Sequence, residues 1–308
     1  MTDVLTTTQA LNTPVLFLVF NRLDTSTKVL EAIRNARPTR LYIAADGARE
    51  SRTDEEQKVQ QVRKYILGQI DWDCEVKTLF REKNLGCKKA VSEAVTWFFE
   101  NEEMGIILED DCVPSPGFFG YCENLLKRYK DDMRVWHISG ANVRGGDLKS
   151  EYTYHFSVYP GVWGWASWAN RWQHYDSELK QVNDESFIKN VLSNKNTIKY
   201  WTAIFHRMKA KQIDTWDFQW VFTVWMKNGF AITPNINQIS NIGFGAGATH
   251  TIDPESALSK LKAGNIDKIV HPKDMYVSLE NDNFLSTQYF SSPTLWERVF
   301  AKFKRSLS

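Results

Sequence analysis

The chain has 308 residues, 43% of them apolar and 13% aromatic, enough for one sizeable core or a core with a second lobe. Its 38 basic and 37 acidic side chains leave a formal charge of +1, which excludes the overall basic footprint of a nucleic-acid binder. An anionic ligand therefore has to be held by a local constellation.

Residues 1–12 read as a polar arm. PVLFLVF (14–20) is far short of the ~20 apolar residues of a membrane span. It runs into Asn21-Arg22 rather than a small-residue cleavage site, so it reads as a buried strand and not as a secretory signal. Residues 25–36 place Val29, Leu30 and Ile33 at helical spacing behind Asp24, a cap candidate. A strand is predicted over 40–46, ending in Asp46-Gly47, then a helix over 54–67 and a strand over 74–80. A helix over 87–99 turns Val91, Ala94, Val95 and Phe98 inward, and MGIILED (104–110) is a fourth strand. Strands alternating with amphipathic helices predict an α/β fold with a parallel sheet covered on both faces. In such sheets ligands lie beyond the carboxyl ends of the strands. Asn21-Arg22, Asp46-Gly47 and Glu109-Asp110-Asp111 all fall there, so three polar groups converge on one rim.

After residue 135 the alternation breaks. VWHISGANV (135–143) and YTYHFSVYP (152–160) are strand-like, and GVWGWASWANRW (161–172) carries four tryptophans. Helices are predicted over 196–211 and 215–229, a last strand over 230–235, and a Gly-rich loop over NIGFGAGATH (241–250). Four cysteines, Cys74, Cys87, Cys112 and Cys122, have neither metal-type pairing nor the density of a disulfide scaffold. A reduced, cytoplasmic setting follows.

Two or three carboxylates at a strand end can hold a divalent cation through oxygen ligands, or one of them can cap the helix starting near Pro116. Capping accounts for one acid and not three. NLGCKKA (84–90) has a single glycine, which argues against a P-loop or a dinucleotide fingerprint. Its Asn84, Lys88 and Lys89 suit a phosphate or, more simply, a solvated helix start. Trp97 and Trp201 lie on helical core stripes. Trp163 and Trp165, with Gly164 between them, suit the wall of a sugar pocket as well as a core, because a pyranose presents an apolar face. Asp217 stands among Trp216, Phe218 and Trp220, a setting for a general base. The competing account is a helix cap, a role for which Asp214 and Thr215 are equally placed. His250 follows the Gly-rich loop, which could close and deliver it as a ligand.

In order along the chain, EDD with PGFFGYC, YPGVWGWASW, TWDFQWVF and NIGFGAGATH resemble the motifs of GT-A-fold glycosyltransferases, most closely the N-acetylglucosaminyltransferase I family. The likeness spans roughly residues 14 to 250, and its ordered spacing is its strongest feature. It implies a GT-A-type, Rossmann-like, mostly parallel sheet flanked by helices, with an acceptor half after it. It also implies that Asp111 ligates Mn²⁺ or Mg²⁺ and that a closing loop ends in His250, the candidate further ligand. Glu109, Asp110, Arg22 and Asp46 would bind the donor, a UDP-sugar by resemblance, and Asp217 would be the base of an inverting transfer. The acceptor would be a glycan or glycolipid. The chain lacks that family's anchor and stem, and so looks more like a soluble bacterial-type relative making surface polysaccharide or lipopolysaccharide.

The resulting division is an arm (1–12), a nucleotide-sugar-binding half (13–134), an acceptor half of the same domain (135–290) and a basic amphipathic C-terminal helix (291–308). That helix places Leu295, Trp296, Val299, Phe300 and Phe303 on one side, and Arg298, Lys302, Lys304 and Arg305 exceed Glu297 by +3. It suits docking on the core and peripheral membrane contact equally. Two rival functions share these features. A sugar-phosphate nucleotidyltransferase would want a Gly-rich basic loop after the first strand, where NRLDTST has no glycine. A glycan-binding module would use the tryptophans for sugar and the acids for structural Ca²⁺.

Overall fold

The structure is a computed structural model that describes residues 2–5, 10–145, 150–180, 182, 184–244 and 256–291. In chain order the first half contains β1 (Thr2–Val4), β2 (Val15–Val19), α1 (Leu23–Ala36), β3 (Arg40–Ala45), α2 (Glu55–Gly68), β4 (Glu75–Phe80) and α3 (Cys87–Asn101). It closes with β5 (Met104–Glu109), β6 (Cys112–Pro114) and α4 (Pro116–Arg128). The second half contains β7 (Val135–Ser139), β8 (Tyr154–Ser157), β9 (Trp165–Trp168), α5 (Ala169–Trp172), α6 (Ser186–Val191), α7 (Lys195–Lys209) and α8 (Asp217–Met226). After these come β10 (Phe230–Pro234), β11 (Ile239–Asn241), β12 (Lys268–Val270) and α9 (Leu279–Gln288).

One eight-stranded sheet, in the order β4-β3-β2-β5-β9-β7-β10-β8, organises the molecule. β4, β3, β2 and β5 are parallel neighbours, and β9 runs antiparallel to both β5 and β7. β10 is parallel to β7, and β8 is antiparallel to β10. The expected α/β architecture with a mostly parallel sheet is present, with β9 and β8 reversed. Strands β2 and β5 are apolar on both faces because helices cover both sides, which is why their sequences do not alternate. Val29, Leu30 and Ile33 of α1 fill one layer, and Ala94, Val95 and Phe98 of α3 fill the other.

The chain winds outward from β2 through β3 to β4, then returns to place β5 on the other side of β2. This reversal opens a crevice beyond the carboxyl ends of β2 and β5. Two small ribbons complete the frame. β6 pairs antiparallel with β11, and β1 pairs antiparallel with β12. The expected polar arm is thus partly strand: Asp3 takes hydrogen bonds from Asn124 and His271, which fasten residues 2–4 to the body. Among the described residues no helix is long and apolar enough to cross a membrane. The proposed C-terminal helix over 291–308 lies outside the described residues apart from Ser291.

Candidate active site

β2 ends in the crevice and hands the chain to Arg22, while β5 ends there in Glu109, Asp110 and Asp111. Arg22 Nη2 lies 2.5 Å from Asp110 Oδ1 and 2.9 Å from Asp111 Oδ2. Asp110 is only 5% exposed, and its second oxygen, Oδ2, is buried without a hydrogen-bond partner among the described residues. Burial pushes the Asp110 carboxyl up to about 6 against the pull of Arg22. Burial also raises Glu109, and the neighbouring Asp111 and Asp110 charges add to the effect. Arg22 pairs with Asp110 and Asp111 and, among the described residues, makes no ion pair with Glu109, so the three acids outnumber the one guanidinium beside them.

The ribbon of β6 and β11 lies directly against these acids. Ile242 N donates to Asp111 O at 2.8 Å, and Gly243 lies so close that a Cβ there would meet Asp111 Oδ2 at 2.0 Å. A cavity of about 260 Å³ opens over the cluster. The acid side is lined by Arg22, Glu109, Asp111 and Gly243, and the facing side includes Trp163, Thr215, Asp217 and Phe218. Asp217 begins α8, and its Oδ1 accepts hydrogen bonds from Thr215 Oγ1 and from Phe218 N at 2.9 Å. Its Oδ2 takes none among the described residues. The other cap candidate serves a different helix, since Asp214 accepts from Lys88 N at 3.3 Å at the start of α3.

Of the flanking tryptophans, Trp216 lines the same cavity as Asp217 and Trp220 does not. Helical geometry sends Trp220 inward, where its Nε1 donates to His137 Nδ1 at 3.0 Å. Trp216 stacks on Trp165 at 5.6 Å. Trp165 is fully buried between His137 and Trp216, so the expectation that it forms pocket wall is corrected. Strand β9 turns it into the core, where it supports the wall from behind. Gly164 adopts φ +58°, and a Cβ there would collide with Ile239, so glycine is required. Trp163 does line the cavity, edge-on to Phe244 at 5.9 Å.

Asp46 stands apart from this lining. Its carboxylate accepts from Leu85 N at 2.9 Å and Gly47 N at 3.0 Å, clamping the loop before α3 to the end of β3. Asn84 joins the same clamp by donating to Gly47 O, and Lys88 Nζ pairs with Glu178 at 2.6 Å, so neither is a free phosphate ligand. His250 lies outside the described residues. Thr215, Asn241 and Cys87 line the cavity and had no periodic signal of their own. Cys87 remains a thiol, because burial and then the carboxylates around it push it up to about 12.

Among the described residues no three His, Cys, Asp or Glu side chains form a metal-holding group. The cluster still suits a hard cation sharing its ligands with a substrate. Its donors are carboxylate oxygens, its acids outnumber the one guanidinium beside them and Asp110 Oδ2 has no partner among the described residues.

No family model matches the chain, and no curated protein matches it. Solved structures do resemble it at low identity. UDP-glucose pyrophosphorylase complexed with UDP-glucose is 10% identical, with 53% of this chain and 78% of that chain covered and a TM-score of 0.32. HddC from Yersinia pseudotuberculosis is 12% identical, covering 53% and 80%, at 0.33. The apo form of a UDP-glucose pyrophosphorylase is 9% identical, covering 80% and 96%, at 0.36. TM-scores this low carry no argument about what the chain does.

Proposed function

We propose that the chain is a metal-dependent glycosyltransferase of the GT-A kind, similar to the N-acetylglucosaminyltransferase I family, moving a sugar from a nucleoside-diphosphate donor to an acceptor hydroxyl. The supporting observation is that Asp217 lines one cavity with Glu109 and Asp111, two of the acids at the end of β5, at the sheet's reversal point. Asp111 would hold Mn²⁺ or Mg²⁺, whose chemistry there is to stabilise charge on a departing diphosphate. Arg22, Glu109 and Asp110 would position the donor, and Asp46 would contribute by holding the loop before α3. Trp163 gives the sugar an apolar face to lie on. Asp217 has one oxygen fixed by Thr215 and Phe218, which orients the other to take the acceptor's proton. Attack from that side inverts the anomeric centre. A UDP-sugar donor, a glycan or glycolipid acceptor and a place in surface polysaccharide synthesis complete the reading.

A sugar-phosphate nucleotidyltransferase is the second reading. The similar solved structures include enzymes named for that chemistry, without the overlap that would make them an argument. The same acid-lined crevice would suit a nucleotide's phosphates. One pair of assays separates the two. Release of nucleoside diphosphate from a UDP-sugar, dependent on added Mn²⁺, is the outcome expected of the transferase. Pyrophosphate release from UTP and a sugar 1-phosphate, with UDP-sugar left intact, would establish the second reading instead. Silence in both assays would reject both enzymes in favour of a sugar-binding module.

A further inference from the structure

We propose that Arg22 is an internal stand-in for the divalent cation: it neutralises Asp110 and Asp111 while the site is free and turns to the donor's diphosphate when a metal ion takes Asp111. This rests on the glycosyltransferase reading above for its metal and its diphosphate. The observations behind the exchange are local. A single nitrogen, Nη2, reaches both carboxylates, at 2.5 and 2.9 Å, so one positive charge occupies the notch between the two acids. The Arg22 side chain is 27% exposed, against 7% and 15% for its partners, so it faces the cavity and can withdraw into it while the acids cannot follow.

The other approaches to Asp111 are restricted. Gly243 backs onto Oδ2 so closely that no side chain fits between them, and among the described residues Oδ1 receives only the Cys112 thiol, at 3.5 Å. A cation arriving at Asp111 therefore meets Arg22 first. Two positive charges within a few ångströms in a partly buried site repel strongly. A metal ion alone has to displace the guanidinium into a cavity whose other lining acids among the described residues, Glu109 and Asp217, make no ion pair with it, and it costs Asp110 its partner. A metal ion accompanied by a diphosphate gives Arg22 a new partner, and a guanidinium suits phosphate oxygens in bidentate geometry. Binding of metal and nucleotide is then mutually reinforcing, with Arg22 as the coupling element.

The experiment is a titration of the full chain with Mn²⁺, followed by electron paramagnetic resonance of the free ion, with and without UDP. Wild type should bind Mn²⁺ weakly alone and about tenfold or more tighter with UDP present. Arg22→Gln should bind Mn²⁺ alone about tenfold tighter than wild type, because the competing charge is gone, and should lose most of the gain from UDP. Arg22→Met keeps the stem's packing and replaces the Gln variant if that one fails to melt cooperatively. Mn²⁺ affinity of the neutral variants equal to or below that of wild type, while wild type still binds Mn²⁺ with UDP, would overturn the exchange and leave the metal site standing. Absence of Mn²⁺ binding in every protein, with or without UDP, would overturn the exchange and the metal-dependent reading together.

Discussion

The two halves of the molecule share one sheet and build their parts of the cavity by different means. In residues 13–134 the polar groups at the rim lie between the last residue of a strand and the third residue beyond it, so strand ends place Arg22 and the three acids. In residues 135–290 the wall is held by interlocked rings. Trp216 rests on Trp165, Trp165 rests on His137, and Trp220 donates to that same histidine. The first half positions charge by strand register and the second positions an apolar wall and one carboxylate by side-chain packing. Substitutions should therefore separate chemistry from folding cleanly at the acid rim and less cleanly behind the wall.

The sharpest break of that comparison is Asp111→Asn. Its expected effect is loss of turnover by roughly 10⁴-fold, the scale of losing several kcal/mol of electrostatic stabilisation, with the melting temperature close to wild type. Normal turnover with unaltered Mn²⁺ dependence would remove Asp111 from the metal site. Asp217→Asn follows, with transfer slowed by ~10²–10⁴-fold and donor affinity barely changed. Steady-state rates beside UDP titrations check this, and an unchanged transfer rate would reduce Asp217 to a group that orders the start of α8.

Trp165→Ala and Trp163→Ala test the other half as a pair. Truncating the fully buried Trp165 should cost ~3–5 kcal/mol by urea denaturation. The half-buried Trp163 should lose under ~1 kcal/mol and chiefly weaken sugar-dependent steps. Equal losses would mean that the wall and its support are one unit. The remaining test is in pH. His137 is buried and held neutral, and its folded value is about 4 against an ordinary 6.5, because burial disfavours the charged ring. The unfolded chain binds that proton first, so stability is full above pH 6.5 and falls as pH drops towards 4, by up to ~1.4 kcal/mol per unit. Melting curves across that window should be flatter in His137→Gln; an equal slope would assign the effect to other groups.

The first half was largely legible in the sequence, because its strands and helices are local patterns with their polar groups at the ends. The α/β alternation and the meeting of Arg22 with the acids follow from periodicity and topology together. What escaped reading depends on contacts between residues far apart in the chain. Asp46 stands at a strand end like the acids, yet its carboxylate is taken up by the amides of Gly47 and Leu85, the latter 39 residues on. Asp214 sits beside α8 and instead caps α3 through Lys88. Trp165 read as pocket wall because Gly164 separates it from Trp163, while its burial comes from the insertion of β9 between β5 and β7. No periodicity within four residues records that neighbourhood.

The ribbon of β6 and β11 sets a boundary for redesigning the molecule. Register pairs Asn241 with Cys112, so the chain up to Gly243 is indexed to Asp111 residue by residue. A one-residue insertion before Gly243 would present a different residue to the carboxylate and flip the ribbon's faces. Grafts near this rim should therefore keep the chain from β11 to Gly243 at its present length.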